Sequence, residues 1–400
     1  MNIRIKNTTI YNENGNINGD LCISDERIAG VGHTPEVFIP DREIDGSRLF
    51  AIPGLINCHT HSYMSAFRNI ADDLTFEEWL FGAIEPRENR MTPDDAYKAA
   101  LISCKEMLQS GTTTFMDMHM FPMMTVKAAK ETGMRAVMTR GLAGPDRNDE
   151  GAIRRYNEHI AEMESCKGDS MFTFKLGPHA IYSCGEDYLH FLIEKADELG
   201  CGFHIHVSES VNEIENCKKQ HGCSPVEYLN NMGFFRRPTC AAHCVHLSDR
   251  DIEILAENNV SVIHNPKSNL KLANGIAPIA KLIKAGVNVC LGTDSQASNN
   301  CLNMFQEMNY AALLQKGVTG DPTVLPAREV IRMATVNGAK ALGIADLGEI
   351  KEGYLADIAL LDLDRINYQP ANDLAAALVY SSSGTETKYV IINGKIVYSN

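Results

Sequence analysis

Eight short apolar runs, separated by longer amphipathic stretches, restrict the possible folds of this chain more than any other feature. The runs are AIPGLINCH (51–59), TTTFMDM (112–118), RAVMTR (135–140), FTFKLGPHA (172–180), GFHIHV (202–207), CAAHCV (240–245), SVIHNP (261–266) and NVCLGTD (288–294). Between them lie helical patterns such as DDAYKAALISCKEMLQSG (94–111), EDYLHFLIEKADELG (186–200), RDIEILAENN (250–259) and APIAKLIKAG (277–286). Several close on glycine, as helix C-termini tend to. Apolar strands alternating with helices predict a parallel sheet, and eight such units predict an α/β fold, the (β/α)8 TIM barrel.

The two ends of the chain follow another rhythm. IRIKNTTI, DLCISDERIAGVG, DIALLDLD and YVIINGKIVYS are short β patterns, with NG and DG turn signals between them. Both termini are therefore expected to build one small β-sandwich domain, residues 1–50 with 350–400, beside a barrel over 51–349.

Composition narrows the function. Apolar residues make up 44% and charged residues 22%, the balance of a soluble globular protein. A net charge of −14 argues against nucleic acid or an anionic membrane as partner, because both require clustered Lys and Arg. MNIRIKNTTI lacks the apolar core of a signal peptide, and no stretch of 18 apolar residues offers a membrane span. The twelve cysteines are scattered without a CxxC pair, which reads as reduced thiols in the cytoplasm. Cys240 and Cys244 read as buried structural thiols, since no second pair accompanies them as a zinc site would require. A homo-oligomer is left open.

In a barrel of this kind, chemistry sits at the C-terminal ends of the strands. His59 and His61 lie there after the first strand, His179 after the fourth, and His204 and His206 on the fifth. His243 follows on the sixth, His264 on the seventh and Asp294 after the eighth. Residues i and i+2 of a strand share a face, so the HxH of PGLINCHTH presents two imidazoles side by side. Any one of these histidines alone is more often a rim or core residue; together they form a site. His204 should point inward one layer below His206 and is read as structural, as are His246 and His264.

The ordered set of HxH, a histidine on strand five, another on strand six and an aspartate after strand eight resembles the amidohydrolase superfamily. PGLINCHTH, DDLTFEEWL, GPHAIYSC, AAHCVHL, HNPKSNLKLANGIAP and LGTDSQASNN look closest to its S-adenosylhomocysteine/5′-methylthioadenosine deaminases. The resemblance implies a hydrolytic deaminase of adenosine-type nucleosides, with His59, His61, His206 and Asp294 as metal ligands. It also implies Glu209 as proton shuttle and His243 beside the hydrolytic water, with Asp294 and His243 able to take that water's proton. Three imidazoles and a carboxylate suit one Zn²⁺ per chain with a position left for water, Fe²⁺ being the other candidate. Binuclear members bridge two metals through a lysine at the end of strand four, but Lys175 lies four residues before His179, too deep for that role.

For the substrate, the resemblance implies that Glu88 accepts hydrogen bonds from the ribose hydroxyls, His179 meets the purine, and Arg140 and Arg147 hold an amino-acid carboxylate. Trp79, the only tryptophan, reads chiefly as packing. Two other readings remain: a guanine, pterin or triazine hydrolase of the same superfamily, and a non-enzymatic assembly protein on a barrel scaffold. The last expects missing ligands, and none is missing.

Overall fold

The computed structural model describes all 400 residues. Its centre is a ring of parallel strands: β1 (Leu55–Thr60), β2 (Thr112–His119), β3 (Arg135–Leu142), β4 (Phe172–Phe174 and Gly177–Pro178), β5 (Phe203–Val207), β6 (Thr239–His243), β7 (Ser261–His264) and β8 (Asn288–Leu291). Ladders join β1 through β4 and β5 through β8. Bridges at Leu176–Phe203 and Ala180–His206 connect the two halves, and Asp294 N donates to His59 O at 2.9 Å where the ring closes. That closure needs Gly292, because a Cβ there would lie 2.9 Å from His59 N and 2.5 Å from Asn265 Oδ1.

Helices cover the ring with their apolar stripes inward. Pro93–Gln109 starts with a capping box from Thr92 and Asp95, and Asp249–Glu257 with one from Ser248 and Asp251, so the sequence marks where each begins. After β1 the chain builds a cover from Ser62–Phe67, a π-helical turn Glu78–Ile84 and the short helix Glu85–Glu88. Its buried face packs Tyr63, Phe67, Trp79, Ile84 and Leu272 together. No helix is long and apolar enough to cross a membrane.

Both termini meet in one eight-stranded sheet. Its order is Lys395–Ser399, Thr387–Ile392, Ile358–Asp362, Leu49–Pro53, Asn2–Ile10, Ile17–Ser24 and Arg27–Val31, with Arg42–Asp45 also paired to Asn2–Ile10. Alternating inward residues, among them Ile3, Ile5, Leu21, Ile23, Ile358 and Ile391, form its core.

Two details differ from expectation. The run 51–59 is two strands, Leu49–Pro53 in the terminal sheet and Leu55–Thr60 in the barrel, parted at Gly54. A Cβ on Gly54 would strike the Thr113 side chain at 2.2 Å, so the chain passes there only without one. The C-terminal segment also carries a helix, Leu374–Tyr380, whose Ala375, Leu378 and Val379 belong to the main barrel core.

Candidate active site

Five of the residues singled out from sequence converge at the C-terminal mouth of the barrel. The ligand atoms of His59, His61 and Asp294 lie within 4.8 Å of one another, as do those of His59, His206 and His243. Three chain reversals set this up: Ser208, His243 and Asp294 all have left-handed backbones, with φ of 53°, 73° and 58°. Such conformations cost a non-glycine residue about 1–3 kcal/mol each and persist where the surroundings enforce them.

Hydrogen bonds fix which nitrogen of each ring is free. His61 Nδ1 donates to Met118 O at 2.8 Å and His206 Nδ1 to His179 O at 2.7 Å, so both rings turn Nε2 inward. Those two nitrogens are 3.3 Å apart. With each Nδ1 hydrogen given to a carbonyl, both Nε2 lone pairs are free to share one electrophile. His59 Nε2, also buried, has no hydrogen-bond partner and lies 3.5 Å from Asp294 Oδ1; His61 Nε2 is 3.5 Å from the same oxygen. Burial pushes the His59 imidazole down to about 4 and that of His206 well below its ordinary value, which keeps them uncharged and able to ligate.

Asp294 is held as an anion. Burial alone would raise its pKa, but His59, His61 and His243 outweigh it and hold the carboxyl well below the usual range. Ser268 and Ser298 donate to Oδ2 at 2.6 and 2.8 Å, and the Ser295 amide to Oδ1 at 2.8 Å. As a donor set, three imidazole nitrogens and one carboxylate oxygen suit zinc. Lys175 is not in this group; it is buried deeper, where its charge acts on His204.

Glu209 stands beside the cluster, next to His243. Glu209 Oε1 accepts from Asn274 Nδ2 at 3.0 Å and lies 3.8 Å from His243 Nδ1. Burial raises the Glu209 pKa, the direction a proton carrier needs. His243 Nδ1 donates to Asn269 Oδ1 at 2.8 Å. Burial would lower the His243 pKa, yet the charges of Glu209 and Asp294 leave it raised. Below them Glu213 accepts from the amides of Ser208 and Glu209 at 3.0 and 2.8 Å and clamps the turn that carries Glu209.

A cavity of about 340 Å³ opens over the cluster and is lined by His61, His179, His206, Glu209, His243 and Asp294 on its floor. Glu88 and Trp79 line its side. Tyr63 donates to Glu88 Oε1 at 2.5 Å, and burial raises the Glu88 pKa. Trp79 is buried and donates Nε1–H to Ala297 O at 3.2 Å, so it packs the cover as well as facing the cavity.

The structure does not bring the two expected arginines to this cavity. Arg140 is buried against Glu158 at 3.1 Å, and Arg147 pairs at the surface with Asp187 at 2.8 Å and Glu194 at 3.3 Å. The cation that lines the cavity is Arg155, whose Nη1 donates to Ala143 O at 3.1 Å. A helical pattern could have found it. Ala152, Arg155, His159 and Glu162 recur at spacings of three and four on Glu150–Ser165, and Ala152, His159 and Glu162 are its buried residues. Arg147, in a loop, has no such periodic signal. Asn269 and Asn274, which hold His243 and Glu209, also went unread, although both lie in HNPKSNLKLANG.

Residues 50–397 match the model of the amidohydrolase family. The chain belongs to that family. It is 44% identical to a 5-methylthioadenosine/S-adenosylhomocysteine deaminase of Pelotomaculum thermopropionicum, over 95% of this chain and 88% of the relative. It is also 44% identical to a 5′-deoxyadenosine deaminase of Methanothermobacter thermautotrophicus, over 99% and 92%. An adenosine deaminase from Xanthomonas campestris, solved with bound zinc, superposes with a TM-score of 0.94 at 31% identity, covering 98% of this chain and 92% of that one.

Proposed function

We propose that this amidohydrolase removes the 6-amino group of adenosine-type nucleosides, among them S-adenosylhomocysteine, 5′-methylthioadenosine and adenosine, giving the inosine analogues and ammonia. The observation that carries the reading is the pair of ligand-type groups that share His59, one with His61 and Asp294 and one with His206 and His243, with Glu209 on the same cavity floor. His59, His61, His206 and Asp294 would hold one zinc ion per chain, with Fe²⁺ the other candidate. A zinc ion so held supplies Lewis acidity and lowers the pKa of a nearby water to about 7. His243 and Asp294 would take a proton from the attacking water as its oxygen reaches C6. Glu209 gives its proton to the ring nitrogen, then takes the proton of the new C6 hydroxyl and passes it to the departing amine. The proton held by His243 and Asp294 returns to Glu209, so one water is consumed for each ammonia released.

The far side of the cavity selects the substrate. Glu88 accepts from the ribose hydroxyls, with Tyr63 holding one of its oxygens in place. His179, whose Nδ1 lies 2.9 Å from Ser183 Oγ, faces the purine edge. Arg155, rather than Arg140 or Arg147, is placed to meet a carboxylate at the end of a 5′ substituent. We read the chain as two domains, 1–50 with 350–400 and 51–349, and the pairing of Leu49–Pro53 into the terminal sheet supports moving the first joint to Gly54. All twelve cysteines are free thiols, which supports a cytoplasmic setting.

The test is ammonia release from zinc-loaded enzyme across purine nucleosides, free adenine, guanine, a pterin and a triazine. Adenosine derivatives should lead. A guanine, pterin or triazine far better than all of them would overturn the substrate reading.

A further inference from the structure

His204 does more than fill the barrel interior. We propose that it is a positioning residue that sets the tautomer of His59, and so presents the Nε2 of that ring to the zinc; this rests on the metal site proposed above. The argument is a chain of donors with one open direction. Thr139 Oγ1 lies 2.9 Å from Asp117 O, a carbonyl that can only accept, so the single hydroxyl hydrogen of Thr139 goes there. His204 Nδ1 is 3.1 Å from the same Oγ1 and must therefore be the donor. The ring is fully buried and has no carboxylate partner to support a charge, its two nitrogens facing only Thr139 Oγ1 and His59 Nδ1, so its Nε2 carries a lone pair. That Nε2 is 2.9 Å from His59 Nδ1, which must then hold the hydrogen. His59 Nε2 is left bare, and it is the buried atom without a partner that faces Asp294.

His59 needs this help where the other rings do not. His61 and His206 are oriented by the carbonyls of Met118 and His179. His59 sits deeper, and its Nδ1 meets a side chain instead of a backbone carbonyl. A partner on the outer nitrogen of a ligating histidine fixes ring orientation and raises its basicity, and losing it typically weakens metal binding about 10–100-fold.

The experiment measures zinc affinity of metal-stripped full-length protein by chelator competition, with circular dichroism and melting of the stripped protein as folding controls. His204→Ala should bind zinc about 10–100-fold more weakly, while His204→Gln, which restores an acceptor oxygen toward His59, should recover part of that loss. Thr139→Val, close in shape, frees the His204 tautomer and should weaken zinc several-fold even if the His204 variants fold poorly. Cobalt-substituted wild type and Thr139→Val should differ in their visible spectra, a readout that packing alone would not move. Unchanged affinity in folded His204→Ala, or an equal loss in the Ala and Gln variants, would overturn the proposal. Wild type that binds no zinc would instead overturn the metal site itself.

Discussion

The floor of the cavity and its far side are built by different means. On the floor, His59, His61, His206 and His243 leave the ends of hydrogen-bonded strands, and His61, His206, His243 and Asp294 each have a partner that sets their direction. On the far side, Glu88, Trp79 and Arg155 come from short helical turns and a surface helix, with one or two polar contacts apiece. A strand fixes the face of a residue by parity alone, whereas a loop or helix end leaves direction to local packing. The floor should therefore behave as a rigid unit whose members fail together, and the far side as separable contacts.

The largest effects belong to the floor. His61→Ala should lose zinc and turnover while keeping its fold, as elemental analysis and circular dichroism would show, since a residue at the mouth does not hold the barrel core. Glu209→Gln should retain zinc and bind substrate but lose about a hundred- to ten-thousand-fold in kcat, because an amide cannot carry the proton. Near-normal turnover in that variant would remove Glu209 from the mechanism.

The same contrast explains what could be read from the sequence. HxH at 59 and 61, HVSE around His206 and LGTD at Asp294 stand at strand ends, so counting along a strand was enough to bring them together. The left-handed turns at Ser208, His243 and Asp294 were invisible, because they are imposed by neighbours rather than encoded by glycine. The split at Gly54 was missed because an apolar run reads as one strand even where its two halves join different sheets. Arg140 shows the limit of motif matching: TRGL placed the residue at the end of β3 but said nothing of Glu158, eighteen positions on, which takes its charge.

Glu213 tests the rigidity of the floor through pH. Burial pushes its carboxyl up to about 7 from an ordinary 4.5, while the two amide donors pull the other way. The folded state thus binds this proton more tightly than the unfolded chain. Stability from this group is greatest below the unfolded value, falls as pH rises through the window to about 7, and is level above it. A difference of that size amounts to about 3 kcal/mol. Denaturant unfolding of metal-stripped protein at pH 5 and pH 8 should show the loss in wild type and a smaller one in Glu213→Gln. Equal slopes would mean the clamp is solvated and the floor looser than drawn.

On the far side, Glu88→Ala should cost the nucleoside about ten- to more than a hundredfold in kcat/KM, the worth of a charge-assisted hydrogen bond of about 1.5–3 kcal/mol. Free adenine, which never made that contact, should change little, so the preference for nucleoside over base should shrink. A loss shared equally by both substrates would place Glu88 in the machinery of the floor instead.

The smallest effect separates the three arginines. A guanidinium already paired with a carboxylate has little attraction left for a second one, and Arg140 and Arg147 are both so paired. Arg155 makes only a neutral contact to Ala143 O and borders the cavity, so it can attract a substrate carboxylate without first breaking an ion pair. The side chain is half-buried, and partial screening by water trims the gain to about tenfold. Wild type should therefore prefer S-adenosylhomocysteine to 5′-methylthioadenosine by about that factor in kcat/KM, Arg155→Ala should erase the preference, and Arg147→Ala should keep it. Loss of the preference in Arg147→Ala with Arg155→Ala unaffected would mean that the surface pairs with Asp187 and Glu194 open when substrate binds, and that the far side rearranges where the floor does not.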